Sequence, residues 1–122
     1  MEKYLLIKII AWNDPADITD CNNWGFETHT IGEVNSITEA IEKAKKDLKE
    51  YAEDWYDGEE DQEEKVKEYI SQSVWEPTPE EQEEIKQKTL TNKYRQTTIY
   101  NVRYFNDETG SDTVHDYTII KL

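Results

Sequence analysis

Three side chains in this 122-residue sequence could serve nucleophilic catalysis near neutral pH: Cys21, His29 and His115. A thiol becomes a nucleophile when a base within hydrogen-bond reach takes its proton, so the chemistry needs Cys and His side by side in the fold. Cys21 falls in a polar loop. Both histidines fall in strand-like stretches, where a solvated or cross-strand imidazole is the ordinary role. No nucleophile-elbow motif is present, and the expectation is no catalytic residues and no enzyme. Phosphate chemistry has no support either. The four glycines, Gly25, Gly32, Gly58 and Gly110, lie far apart, so no glycine-rich loop precedes a helix.

Metal chemistry rests on one segment. Asp57 to Glu68 carries carboxylates at the first, third, fifth and twelfth positions of a calcium-type loop. Its sixth position is Gln62, where the sharp turn needs glycine, and its eighth is Glu64, where an apolar side chain is usual. Asp14, Asp17 and Asp20 form a second acidic loop of the kind that serves turns. The expectation is no metal and no cofactor, with a calcium-responsive module as an alternative. Carboxylate pairs for acid–base work are too abundant to single one out, and a shifted pKa needs burial or a specific partner.

That abundance is itself informative. Lys and Arg number 14 against 28 Asp and Glu, a formal net charge of −14. Residues 50–84 hold 15 of those acids and only Lys65 and Lys67, a net of −13, so the remaining residues carry a net of −1. Glu50, Asp54, Asp57, Asp61, Glu64 and Glu68 step by four, three, four, three and four. On one helix continuing through Gly58 they would form a row about 27 Å long. Residues 50–68 would then carry about one net charge per 3.4 Å of axis, near the density of a single DNA strand. Like charges at this spacing destabilise a helix. Solubility alone is one account of the cost; a surface that imitates nucleic acid is the other. Tyr56, off the apolar seam, is the expected aromatic anchor of such a surface, because aromatic residues dominate binding hot spots. Trp55 continues the seam and is expected in the core.

The elements that must position these residues follow from periodicity. Residues 3–12 form a strand apolar on both faces, expected to be central. Residues 24–31 form a weaker strand ended by Gly32. Ser36-Ile37-Thr38-Glu39 is a capping box opening a helix whose seam is Ile37, Ile41, Ala44, Leu48, Tyr51 and Trp55. A second helical stretch covers 59–71, Val74 and Trp75 pin the chain back, and Thr78-Pro79-Glu80-Glu81 opens a peripheral helix reaching about Thr89. Strands at 97–105 and 114–122 form a hairpin around the 106–111 turn. The fold class is α+β, a single domain over 1–122. An antiparallel sheet of about four strands, in the order ββ-α(αα)-ββ, carries an acidic helical segment of about 36–90 on one face.

Composition bounds the function class. Apolar residues are only 35% of the chain, yet 14 aromatics argue against a disordered acidic segment. The charge excludes unaided binding to bare nucleic acid or an anionic membrane. The first residues pass straight into strand pattern with no small-residue cleavage site, so no signal peptide is expected, and with a single cysteine a cytoplasmic setting is. A thin core with many aromatics makes a homodimer an expectation as well. The overall type (short, acidic, aromatic-rich, without catalytic motifs) resembles the small inhibitors that phages and mobile elements make against restriction or CRISPR nucleases. That resemblance is compositional. It implies an anti-CRISPR or anti-restriction protein, a nucleic-acid mimic whose partner is a basic nucleic-acid-binding protein or nuclease. An immunity or antitoxin protein against a basic toxin fits the same surface.

Overall fold

The computed structural model describes residues 2–13, 24–71, 77–105 and 110–122. Seven elements follow in chain order: β1 (Tyr4–Asn13), β2 (Trp24–Val34), α1 (Ile37–Trp55), α2 (Gln62–Ser71), α3 (Pro79–Thr91), β3 (Gln96–Phe105) and β4 (Asp112–Lys121). The strands make one antiparallel sheet in the order β2-β1-β4-β3, with the helices on one face. This is the α+β arrangement that the periodicity implies. β1 and β4 are central, which suits their runs of branched apolar residues.

Helix α1 crosses the sheet because its spacing puts one narrow stripe inward. Ile37, Ala40, Ile41, Ala44, Leu48 and Ala52 are its buried residues. They meet Tyr4 and Leu6 of β1, Tyr117 and Ile119 of β4, and Tyr100 and Val102 of β3 in one core. α3 adds Ile85 and Thr89. The Thr89 hydroxyl donates to Ile85 O at 2.7 Å and lies 2.8 Å from Thr97 Oγ1, so the buried hydroxyl is satisfied.

The local signals held in part. Ser36 caps α1, accepting from Glu39 N–H at 3.1 Å. The Glu39 carboxylate reaches back one residue further than a capping box requires, to Asn35 N–H at 2.8 Å. The box at Thr78 and Glu81 is complete. Gly32 does not end β2. The strand continues to Val34 through a bulge, with Leu6 opposite Gly32 and Ile7 opposite Thr30, and Gly32 takes a φ of +144° that other residues avoid. A second bulge between Thr98 and Tyr100 turns Ile99 onto the helix side, so Ile99 and Tyr100 are both buried although adjacent. Simple alternation assigns Ile99 to the opposite face. Val74, Trp75 and the turn residues 106–109 lie outside the described residues.

Among the described residues, the helices cover one side of the sheet. The other side carries Trp24, Phe26, Thr28 and Thr30 of β2, Leu5, Ile7, Ile9 and Ala11 of β1, Val114 and Ile120 of β4, and Arg103 and Phe105 of β3. Among the described residues, no helix is long and apolar enough to cross a membrane.

Candidate functional site

The six carboxylates of the acidic row are all exposed, but they do not share one helix. α1 stops at Trp55, the chain turns through Gly58 at φ +83°, and α2 starts at Gln62. Glu50 and Asp54 stand on the last turns of α1, Asp57 and Asp61 in the turn, and Glu64 and Glu68 on α2. α2 folds back beside α1: Gln62 Nε2 donates to Glu53 O at 2.8 Å, and the Tyr69 ring lies 6.1 Å from Tyr51 and 6.3 Å from Tyr56. Burial decides this. Val66 and Tyr69 would stay in water on a straight helix, and here they enter the core. The straight 27 Å row is therefore replaced by a folded acidic patch. Asp61 is paired with Lys65 at 3.5 Å, and Lys65 also bonds Glu59. The other five side chains make no hydrogen bond or ion pair among the described residues.

The fold exchanges the expected roles of the two neighbouring aromatics. Tyr56 is only 8% exposed; its hydroxyl lies 3.4 Å from that of Tyr104 and its ring packs edge-on to Tyr69. Tyr56 is thus a core residue and not the exposed anchor. Trp55 is 68% exposed, stacked 6.4 Å from Tyr51. The cause is the course of the buried stripe on α1: Ala44, Leu48 and Ala52 step by four, and Tyr56, whose N–H bonds Ala52 O at 3.1 Å, is the next position, which leaves Trp55 beside the stripe.

A cleft of about 550 Å³ opens there, lined by Ile10, Trp12, Glu27, Tyr51, Trp55 and Thr113. Trp12 is fixed in it by Gly25, directly opposite across the β1–β2 pair: a Cβ on Gly25 would lie 2.4 Å from the indole. Tyr51 also borders a neighbouring cleft of about 440 Å³, with Lys8, His29, Asp47, Glu50 and Asp54. Its one lysine is already committed. Lys8 Nζ lies 2.8 Å from Asp47 Oδ2, and that oxygen also accepts from the Tyr117 hydroxyl at 2.7 Å. The aromatic clefts are therefore edged by carboxylates whose nearest cation is neutralised.

Beneath Tyr51 lies a buried cluster absent from the sequence reading. His115 is wholly enclosed, 4.6 Å edge-on from the Tyr51 ring, with the Tyr69 hydroxyl at 2.5 Å from Nε2 and no partner for Nδ1 among the described residues. Burial, helped by the charge of Lys8, pushes its pKa down to about 3, so the ring is neutral at physiological pH. Burial also raises Tyr56, Tyr69 and Tyr117 above the usual phenol range. Lys8 was the available signal: a lysine inside Leu5-Leu6-Ile7-Lys8-Ile9-Ile10, at a position facing the helices, needs a buried acid.

The remaining candidates do not converge. His29 is exposed on β2, 3.1 Å from the Glu27 carboxylate. β1 separates it from His115, and their partners on β1, Lys8 and Ile10, are two residues apart, so the two histidines stand about 12 Å apart. Cys21, Asp14, Asp17 and Asp20 lie outside the described residues. The calcium-type spacing is not a loop, because residues 62–68 are helix, and its last seven positions cannot wrap an ion. No group of three or more His, Cys, Asp or Glu among the described residues is placed to hold a metal. No family model matches the chain, and neither a curated protein nor a solved structure matches it.

Proposed function

We propose that this chain is a non-enzymatic binding protein, an inhibitor of the phage or mobile-element type, whose acidic helical surface occupies the basic nucleic-acid site of a host enzyme. One observation carries the reading: Glu50, Asp54, Asp57, Glu64 and Glu68 are exposed and have no cation partner among the described residues, Glu50 and Asp54 line the cleft beside Tyr51, and the exposed Trp55 follows Asp54 directly. Carboxylates left without cations keep their field for a partner, and an exposed Trp beside them supplies the desolvated contact that a purely charged rim lacks. The folded patch imitates phosphate charge over a broad surface and not along a straight strand. Trp55 takes the anchoring role. The target is a basic nucleic-acid-binding protein or nuclease, and neither nucleic acid nor membrane is bound directly. The cytoplasm is where such a target is met.

The experiment is an affinity pull-down from bacterial lysate. It compares the wild type with a variant carrying Gln at Glu50, Glu64 and Glu68 and Asn at Asp54, Asp57 and Asp61. A basic nucleic-acid enzyme enriched only by the wild type, and released by salt, supports the reading. Recovery of the same partner by both proteins, or of none, makes the patch a solubility face.

A further inference from the structure

The uncovered face of the sheet carries a continuous apolar row along β1, widened by apolar side chains at its two ends, beside a polar centre on β4 and β3. Phe26 is 69% exposed and Phe105 52%, with Trp24 and Ile9 also open to solvent. Leu5, Ile7, Ala11, Val114 and Ile120 are half-buried between them. The charged residues here are Glu33, Asp112, Asp116 and Arg103, a net of −2 against −14 for the chain. Arg103 Nε donates to Asp112 at 3.0 Å, and Asp116 accepts from Thr118 at 2.8 Å, so the polar members satisfy one another. A contiguous apolar face of this kind marks an interface.

From this we infer that the uncovered sheet face binds a second copy of the same chain, sheet against sheet, forming a two-fold dimer with the helices outward. Self-complementarity selects the occupant. A two-fold axis parallel to the strands, between β1 and β4, lays β1 over β4 of the second copy and β2 over its β3. Trp24 then meets Phe105 and Phe105 meets Trp24. Leu5 meets Ile120, Ala11 meets Val114, Phe26 lies over Arg103, and Ile9 lies over Asp116, whose carboxylate is held by Thr98, Asn101 and Thr118 of its own sheet. Each pair occurs twice, as an isologous interface requires.

Size and charge agree. Four strands about 4.8 Å apart and ten residues long give a footprint of about 650 Å². Two such faces bury about 1,300 Å², within the range of a stable interface. Sheets stack about 10 Å apart, and each helical layer adds about 10 Å. The two acidic patches are thus held about 30 Å apart, beyond the screening length of about 10 Å at 0.1 M salt. An unrelated partner would not meet this pairing. The dimer stands independently of the proposed function; were both true, each dimer would present two acidic surfaces in opposite directions.

Sedimentation equilibrium of the wild type at about 100 µM tests it, alongside Ile9→Lys and Phe26→Asp. Trp55→Ala on the helical face is the control. The expected result is twice 14.5 kDa for the wild type and the control, and folded monomers for the two open-face variants, their dissociation constants raised at least about 100-fold. A monomeric wild type, or a dimer that persists in both variants, overturns the inference. Should the variants not fold, isotope-filtered NOEs on a mixed labelled and unlabelled wild-type sample decide. Contacts between Trp24 and Phe105 of different copies are expected, and a dimer without intermolecular contacts on this face overturns it.

Discussion

The Tyr69 hydroxyl sits 2.5 Å from Nε2 of His115, a bond that ties α2 to the central strand β4 inside the core. The imidazole has no exposed surface, and its second nitrogen has no partner among the described residues. A protonated ring is therefore disfavoured in the folded protein and free to form in the unfolded chain.

This difference makes stability depend on pH. The folded pKa of about 3 lies below the unfolded value near 6.5. The unfolded state binds the extra proton between those values, so the contribution is fully present above pH 6.5 and is lost as pH falls toward 3. At pH 5 the loss is about 2 kcal/mol. Carboxylate repulsion also relaxes as pH falls, with the opposite sign, so the comparison must be made against a variant. His115→Phe should gain about 2 kcal/mol relative to the wild type between pH 7 and pH 5, in urea unfolding at both pH values. A difference that stays constant with pH would show that His115 titrates alike in both states.

Lys8 and Asp47 make the second prediction. Lys8 is buried, while Asp47 is partly open and also holds the Tyr117 hydroxyl. Removing the acid strands an ammonium and a phenol in the core. Asp47→Leu should therefore cost about 3 kcal/mol. Lys8→Met in the same background removes the orphaned charge and should restore much of that loss. Thermal unfolding of the two single variants and the double variant measures the coupling. If the single losses simply add, the pair is not an energetic unit.

The boundaries of the fold show where sequence reasoning stops. The strand and helix order was legible because most of each element keeps one period, as in the alternation of β1 and the α1 seam from Ile37 to Leu48. The capped starts at Ser36 and Thr78 were legible because a cap is a local bond. The bulges at Gly32 and Ile99 were not, because each is set by pairing with a strand distant in sequence. The exchange of Trp55 and Tyr56 has the same origin. It depends on α2 returning to bury Tyr69 against Tyr104, whose rings stack at 4.4 Å, and no local pattern around Gly58 specifies that return. The acids of the patch were legible as a set; their shared straight axis was not.

The acidic patch should be stable at one end and costly at the other. Glu64 lies in the first turn of α2, where the helix dipole favours a negative charge. Asp54 lies in the last turn of α1, which has no basic residue, one turn after Glu50. There it opposes both the dipole and a like charge four residues away. Asp54→Asn should stabilise the protein by about 0.5 kcal/mol at low salt, and Glu64→Gln should destabilise it by about 0.3 kcal/mol. Both shifts should shrink as salt is raised, since exposed charges are screened. Urea titrations at two ionic strengths read these differences, and equal effects of the two substitutions would remove the dipole argument. Under the proposed function, Asp54→Asn should also weaken capture of the basic enzyme while it strengthens the fold. That opposition is the one expected of a residue kept for its partner; a stabilised variant with undiminished capture would place Asp54 outside the binding surface.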